Sequence, residues 1–96
     1  MMLKVSIPAS QGNRALKDGS LTSIMQKALA ELKPEAAYFG LHEGNRTAFL
    51  FADVKDVSML PSICEPFFLG FDAAIDMTPV MNADELRAGL QLLQKP

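Results

Sequence analysis

Tyr38, His42 and Asp53 are the side chains through which this sequence could do acid–base chemistry. His42 is the only histidine, next to a turn signal, and an imidazole titrates in the range a general base needs. A lone histidine at a hairpin tip is usually exposed and idle. Tyr38 and Asp53 stand in otherwise apolar stretches. Asp53 reads either as a strand-end residue or as a carboxylate at the mouth of a pocket lined by Phe49 and Phe51. Arg14 and Lys17 offer anion contacts on a polar segment, residues 9 to 19, which otherwise reads as a solvated loop with at most one helical turn over Arg14 to Lys17.

Other reactive residue types have structural readings. Cys64 falls on an apolar helical stripe and reads as a small buried hydrophobe rather than a nucleophile. Glu65 precedes Pro66 and reads as a hydrogen-bonding residue at a kink, with a pocket acid as the alternative. Asp76 can pair with Lys4 across adjacent strands. No metal site is expected, because no second histidine or cysteine pair supplies ligand spacing. No Ser-His-Asp order or glycine-rich phosphate loop is present, and no cofactor is implied.

The elements that must position these residues are organised around Thr47 to Val54. Phe49 and Phe51 point one way along this strand, while Ala48, Leu50, Ala52 and Val54 point the other. A strand apolar on both sides belongs in the middle of a sheet. Before it, Glu35 to Leu41 reads as a second strand, joined through the turn signal Glu43-Gly44-Asn45. A two-residue turn would set Tyr38 beside Phe49; a three-residue turn with Gly44 left-handed would set Phe39 there.

Leu3, Val5 and Ile7 alternate with polar residues in a first strand that Pro8 ends. Ser20 can cap a helix whose stripe is Leu21, Ile24, Met25, Ala28, Leu29 and Leu32, stopped by Pro34. Asp56 or Ser58 can cap the next helix, with Pro61 in its first turn and Leu60, Ile63, Cys64, Phe67 and Phe68 buried. Pro66 predicts a kink or an end at Glu65, and Gly70 a closing cap. Phe71 to Met77 alternates as a fourth strand, with Asp72 on its polar side. Asn82 and Glu85 have capping-box spacing ahead of a last helix, to which Leu86, Leu90 and Leu93 give a stripe enough to dock but not to be buried, and whose C-terminus Lys95 suits.

The 96 residues make one domain, 49% hydrophobic and 21% charged. The net charge of −2, with nine scattered basic residues, gives no support for a nucleic-acid partner. No apolar run approaches a bilayer span, and the N-terminus lacks the pattern of a signal peptide, so no membrane partner is expected. A lone cysteine fits a reducing, cytoplasmic setting.

This order predicts an α+β fold, a ferredoxin-like βαββαβ sandwich with an extra C-terminal helix. Helices would cover one sheet face. The other would carry Lys4, Ser6, Asp72 and Asp76 beside one side of the central strand, and would pair with a second copy as a dimeric α+β barrel. The chain also resembles a family of small uncharacterised bacterial proteins in Lys17-Asp18-Gly19-Ser20, Pro34-Glu35-Ala36-Ala37-Tyr38-Phe39, Gly44-Asn45-Arg46-Thr47, Glu65-Pro66-Phe67-Phe68 and Pro79-Val80-Met81-Asn82. The resemblance implies a dimeric α+β barrel and no catalytic residues. That wider group includes cofactor-free monooxygenases, haem-degrading enzymes, isomerases, dehalogenating enzymes and ligand-sensing domains, among which fold does not choose.

The function expected is a homodimer binding a small organic molecule. As an enzyme it would be a cofactor-independent isomerase or monooxygenase, with Tyr38, His42 and Asp53 as acid–base groups and Phe49, Phe51 and Arg14 binding the ligand. The alternative is a non-catalytic ligand-sensing or assembly module.

Overall fold

The computed structural model describes residues 1–94. Its elements in order are β1 (Met2–Ile7), α1 (Ala9–Asp18), α2 (Ser20–Leu32), β2 (Ala36–His42), β3 (Asn45–Phe51), a 3-10 turn at Val57–Met59, α3 (Leu60–Phe71), β4 (Ala74–Thr78) and α4 (Ala83–Leu92). The strands form one open sheet in the order β2-β3-β1-β4, and every neighbouring pair is antiparallel. The fold class is α+β.

β3 occupies the interior position its two-sided apolar pattern requires. Leu50 lies opposite Leu3 and Ala48 opposite Val5. These four are fully or almost fully buried with Ile7, Ala15, Phe67, Phe71 and Ala73 in a single core between sheet and helices. The α2 stripe of Leu21, Ile24, Met25, Ala28, Leu29 and Leu32 packs around that core, as its spacing predicts. Phe49 and Phe51 therefore face away from the helices.

The expected loop at residues 9 to 18 is a helix. Pro8, extended at φ −55° and ψ 140°, places its carbonyl to accept the Gly12 N–H at 2.9 Å. The buried side of α1 is Gly12 and Ala15, too small to register as an apolar stripe. Gly12 is small for a reason: a Cβ there would lie 2.5 Å from Arg46 Nη1 and 3.3 Å from Ile7 Cγ2. Gly19, at φ 84°, alone joins α1 to α2. Ser20 is the first residue of α2 rather than its side-chain cap; Asp18 Oδ1 accepts the Ser20 N–H at 2.8 Å instead.

The expected early end at Glu65 does not occur: α3 continues through Pro66 to Phe71. Phe67 and Phe71, one helical turn apart, are both fully buried, with ring centroids 6.4 Å apart. Burying two such rings contributes roughly 2 kcal/mol each, which outweighs the roughly 3 kcal/mol an interior proline costs. Phe71 thus ends α3 instead of starting β4, and Phe68 points outward. The left-handed cap is Asp72 at φ 50°, so Asp72 leaves the sheet face assigned to it. Gly70 lies inside the helix, where a Cβ would come within 2.6 Å of Ile24 Cδ1. Asp56 caps the 3-10 turn by accepting the Ser58 N–H at 2.9 Å.

The hairpin has a two-residue turn. Glu43 at φ 53° and Gly44 at φ 80° are both left-handed, as a type I′ turn demands. Of the two registers open in the sequence, this one sets Tyr38 opposite Phe49.

α4 has both halves of its capping box, Asn82 Oδ1 on the Glu85 N–H at 2.8 Å and Glu85 Oε1 on the Asn82 N–H at 3.0 Å. Leu86, Leu90 and Leu93 are exposed, as a stripe too narrow to be buried should be, and α4 makes no extensive contact with another element. Every residue from Thr78 to Gln94 is exposed. Lys95 lies outside the described residues.

Candidate functional site

Register decides what the helix-free sheet face carries. Phe49 lies between Tyr38 of β2 and Lys4 of β1, and Lys4 in turn lies opposite Asp76 of β4. One half of the face is aromatic, with Tyr38, Phe49 and Phe51; the other is polar, with Lys4, Ser6, Asp76 and Thr78. Tyr38 and Phe51 meet edge to face, with centroids 6.4 Å apart and planes at 81°. Tyr38 is 65% exposed. Phe49 and Phe51 are half-buried, and α1, α2 and α3 pack on the opposite face of the sheet.

At the end of this face lies an open cleft of about 720 Å³, whose lining includes Tyr38, Phe51, Asp53, Glu35, Val80 and Met81. Its floor is held by backbone bonds that prolong the sheet: Glu35 N–H donates to Phe51 O at 2.8 Å, and Ala52 N–H to Met1 O at 3.0 Å. The linker between β4 and α4 supplies the far wall with Val80, Met81 and Asn82. The cleft is therefore an aromatic corner with Glu35 and Asp53 on it and Lys33 beside them. Glu85, also at the rim, is committed to the capping box.

Three of the candidate residues, Tyr38, Asp53 and Phe51, meet in this cleft. Phe49 is the next aromatic along the same face. Asp53 is exposed, so this chain alone does not surround it with the apolar setting an acid–base role would draw on. His42 stands elsewhere. It is four residues along β2 from Tyr38, roughly 13 Å at strand spacing, with Nε2 3.6 Å from Glu43 Oε1.

Arg14 is also apart from the cleft and fully engaged. It donates to Gln11 Oε1 at 3.1 Å, to Asp18 Oδ2 at 2.9 Å, and to the Gly70 carbonyl. The last contact ties α1 to a carbonyl in the final turn of α3, where the helix has no partner of its own to offer. Cys64 is partly buried; that burial, and then the adjacent Glu65 charge, raise its thiol above the ordinary value. It is a poor nucleophile at neutral pH.

Among the described residues no three His, Cys, Asp or Glu side chains are grouped to hold a metal ion. No helix among them is long and apolar enough to cross a membrane.

Val80, Met81, Lys33 and Glu35 were not among the residues the sequence singled out for the site. Only the sheet order reveals them. β4 runs beside β1, and its end delivers the linker to the corner where β2 begins and β3 finishes.

No protein-family model, curated protein or solved structure matches the chain. The resemblance to small bacterial proteins accordingly finds no support in these comparisons, and the α+β architecture stands on the chain's own packing.

Proposed function

We propose that the protein works as a homodimer whose helix-free sheet faces pack together, with the cleft at Tyr38, Phe51 and Asp53 holding a small organic molecule. The observation that supports this reading is the aromatic half of the face, exposed Tyr38 beside half-buried Phe49 and Phe51, on the side of the sheet away from α1, α2 and α3. A patch of that kind is what soluble monomers avoid and interfaces use. The sheet order also suits a ferredoxin-like description: β1 between β3 and β4 is what two interleaved split βαβ units require, with α1–α2 and α3 as crossovers on one face. Face-to-face pairing would then build a dimeric α+β barrel.

Binding is better supported than catalysis. An enzyme needs titratable groups that converge and hold one another in place. Tyr38 and Asp53 share the cleft but no hydrogen bond joins them among the described residues, and His42 lies away from both. An isomerase or monooxygenase reaction using all three would need the second copy to bring its own His42 to the cleft. The assembly-only reading is favoured by one feature, the openness of the cleft to solvent in the single chain.

Shift mapping by NMR against a panel of small aromatic acids and amines tests the ligand. Perturbation of the Tyr38, Phe51 and Asp53 amides, abolished by Tyr38→Ala, is expected. Perturbation only at other positions, or none across the panel, would leave assembly as the function.

A further inference from the structure

The two edges of the sheet are built differently. β4 has five residues, carries Asp76 at its centre and runs into Pro79 one residue after it ends. A short strand, a charge and a proline are devices by which proteins keep a sheet edge from pairing. β2 has none of them. Its seven residues, Ala36-Ala37-Tyr38-Phe39-Gly40-Leu41-His42, include no acid, lysine, arginine or proline, and the last five are exposed. Tyr38, Phe39 and Leu41 are 65%, 58% and 78% exposed. Among the described residues no backbone hydrogen bond from a turn, loop or cap reaches β2.

In an antiparallel ladder the pair that closes a two-residue turn is hydrogen-bonded, and the bonding alternates from there. His42 and Asn45 are that pair. Ala37, Phe39 and Leu41 therefore turn their N–H and C=O groups away from β3. A row of unpaired groups on an uncharged, apolar edge is a template for another strand.

The sequence of β2 fits one strand in particular, which is itself. Laid antiparallel against a second β2 about a two-fold axis at Phe39, it pairs all seven of its residues. Each larger side chain then meets a small one. Tyr38 lies opposite the partner's Gly40, Leu41 opposite the partner's Ala37, and His42 opposite the partner's Ala36, while Phe39 meets its own copy on the axis. Nothing in its own chain requires Gly40, since its φ is not positive and a Cβ there would meet nothing within 4 Å. Glycine weakens a strand interior and marks close approach, and an aromatic ring laid over an edge glycine offsets the loss. The same operation on β4 would set Asp76 directly against the partner's Asp76, a destabilising pair of like charges.

We infer that two copies join edge to edge through β2, antiparallel about a two-fold axis at Phe39, so that their sheets become one sheet of eight strands. The inference rests on the homodimer reading and names the edge at which its two sheets meet. Tyr38 belongs to the helix-free side and Phe39 to the helix side, so both faces continue across the join. Twist accumulated over eight strands coils such a sheet, which turns the two helix-free faces toward each other. A two-fold join uses each β2 edge once and leaves no open-ended array.

The test exploits the self-contact of Phe39. Phe39→Lys and Phe39→Glu each place like charges across the axis. Each alone is expected to be folded by circular dichroism and to have the single-chain mass of 10.4 kDa, and an equimolar mixture of the two is expected to regain twice that mass. Folded variants that each keep a dimeric mass, or a mixture that stays at single-chain mass, would overturn the join. A second measurement uses the unmodified chain and stands whatever the variants do to folding. In a mixture of carbon-13-labelled and unlabelled chains, isotope-filtered NOEs are expected between the Leu41 methyls of one copy and the partner's Ala37 methyl, both on the helix side and out of reach of face-to-face packing. A dimeric mass without those NOEs would sink the join and leave the homodimer standing. A monomeric mass for the unmodified chain would sink both.

Discussion

Tyr38 lies directly across the β2–β3 ladder from Phe49, and its ring meets Phe51 edge-on. That relationship is fixed at the far end of the hairpin, by two left-handed residues. Gly44→Ala places a Cβ at φ 80° and is expected to cost about 1 kcal/mol, a fall of roughly 4–8 °C in Tm for a domain of this size. Glu43→Asn supplies the residue that type I′ turns prefer and is expected to raise Tm. Equal Tm values for the two variants would contradict the turn assignment.

Acid should loosen the helix starts first. Hydrogen bonding from Ser20 holds the Asp18 carboxyl below its ordinary value of 3.8, and hydrogen bonding from Ser58 does the same for Asp56. A carboxylate whose folded value is depressed stabilises the fold fully above its unfolded value, and that stability is lost as pH falls through the folded one. Unfolding midpoints should therefore be flat above about pH 4 and fall below it. Asp18→Asn should lower stability at neutral pH and flatten the acid limb; an acid limb identical to the unmodified protein's would remove Asp18 from the account.

Cys64 should label slowly. Burial and the Glu65 charge keep it a protonated thiol near neutrality. Reaction with a thiol reagent at pH 7 is expected to be slow in the native protein and fast after denaturation. Rapid stoichiometric labelling of native protein would reopen a nucleophilic role.

What was legible in the chain was what apolar spacing encodes. The interior position of β3, the α2 stripe, the capping box at Asn82 and the antiparallel α+β class all follow from residue periodicity and cap chemistry. What was not legible depended on neighbours distant in sequence. α1 reads as a loop because its buried side is Gly12 and Ala15, chosen to let Arg46 and Ile7 in close. α3 runs through Pro66 because Phe67 and Phe71 meet a core that local sequence does not display. In the site, strand pairing brings Tyr38 and Phe51 to the cleft that Asp53 also lines, while Arg14, on the helix α1 whose sequence reads as a loop, donates to the Gly70 carbonyl of α3. The linker residues Val80 and Met81 needed the sheet order to be seen at all.

If two chains pack through the helix-free sheet face, the native mass is twice that of one chain. Light scattering or sedimentation equilibrium at micromolar concentration should give about twice the 10.4 kDa chain mass. Phe49→Asp, on the helix-free face, should yield a folded protein of single-chain mass. Leu50→Asp, one residue on but fully buried against the helices, should unfold the chain. An unmodified protein that is a stable monomer of 10.4 kDa would contradict the account.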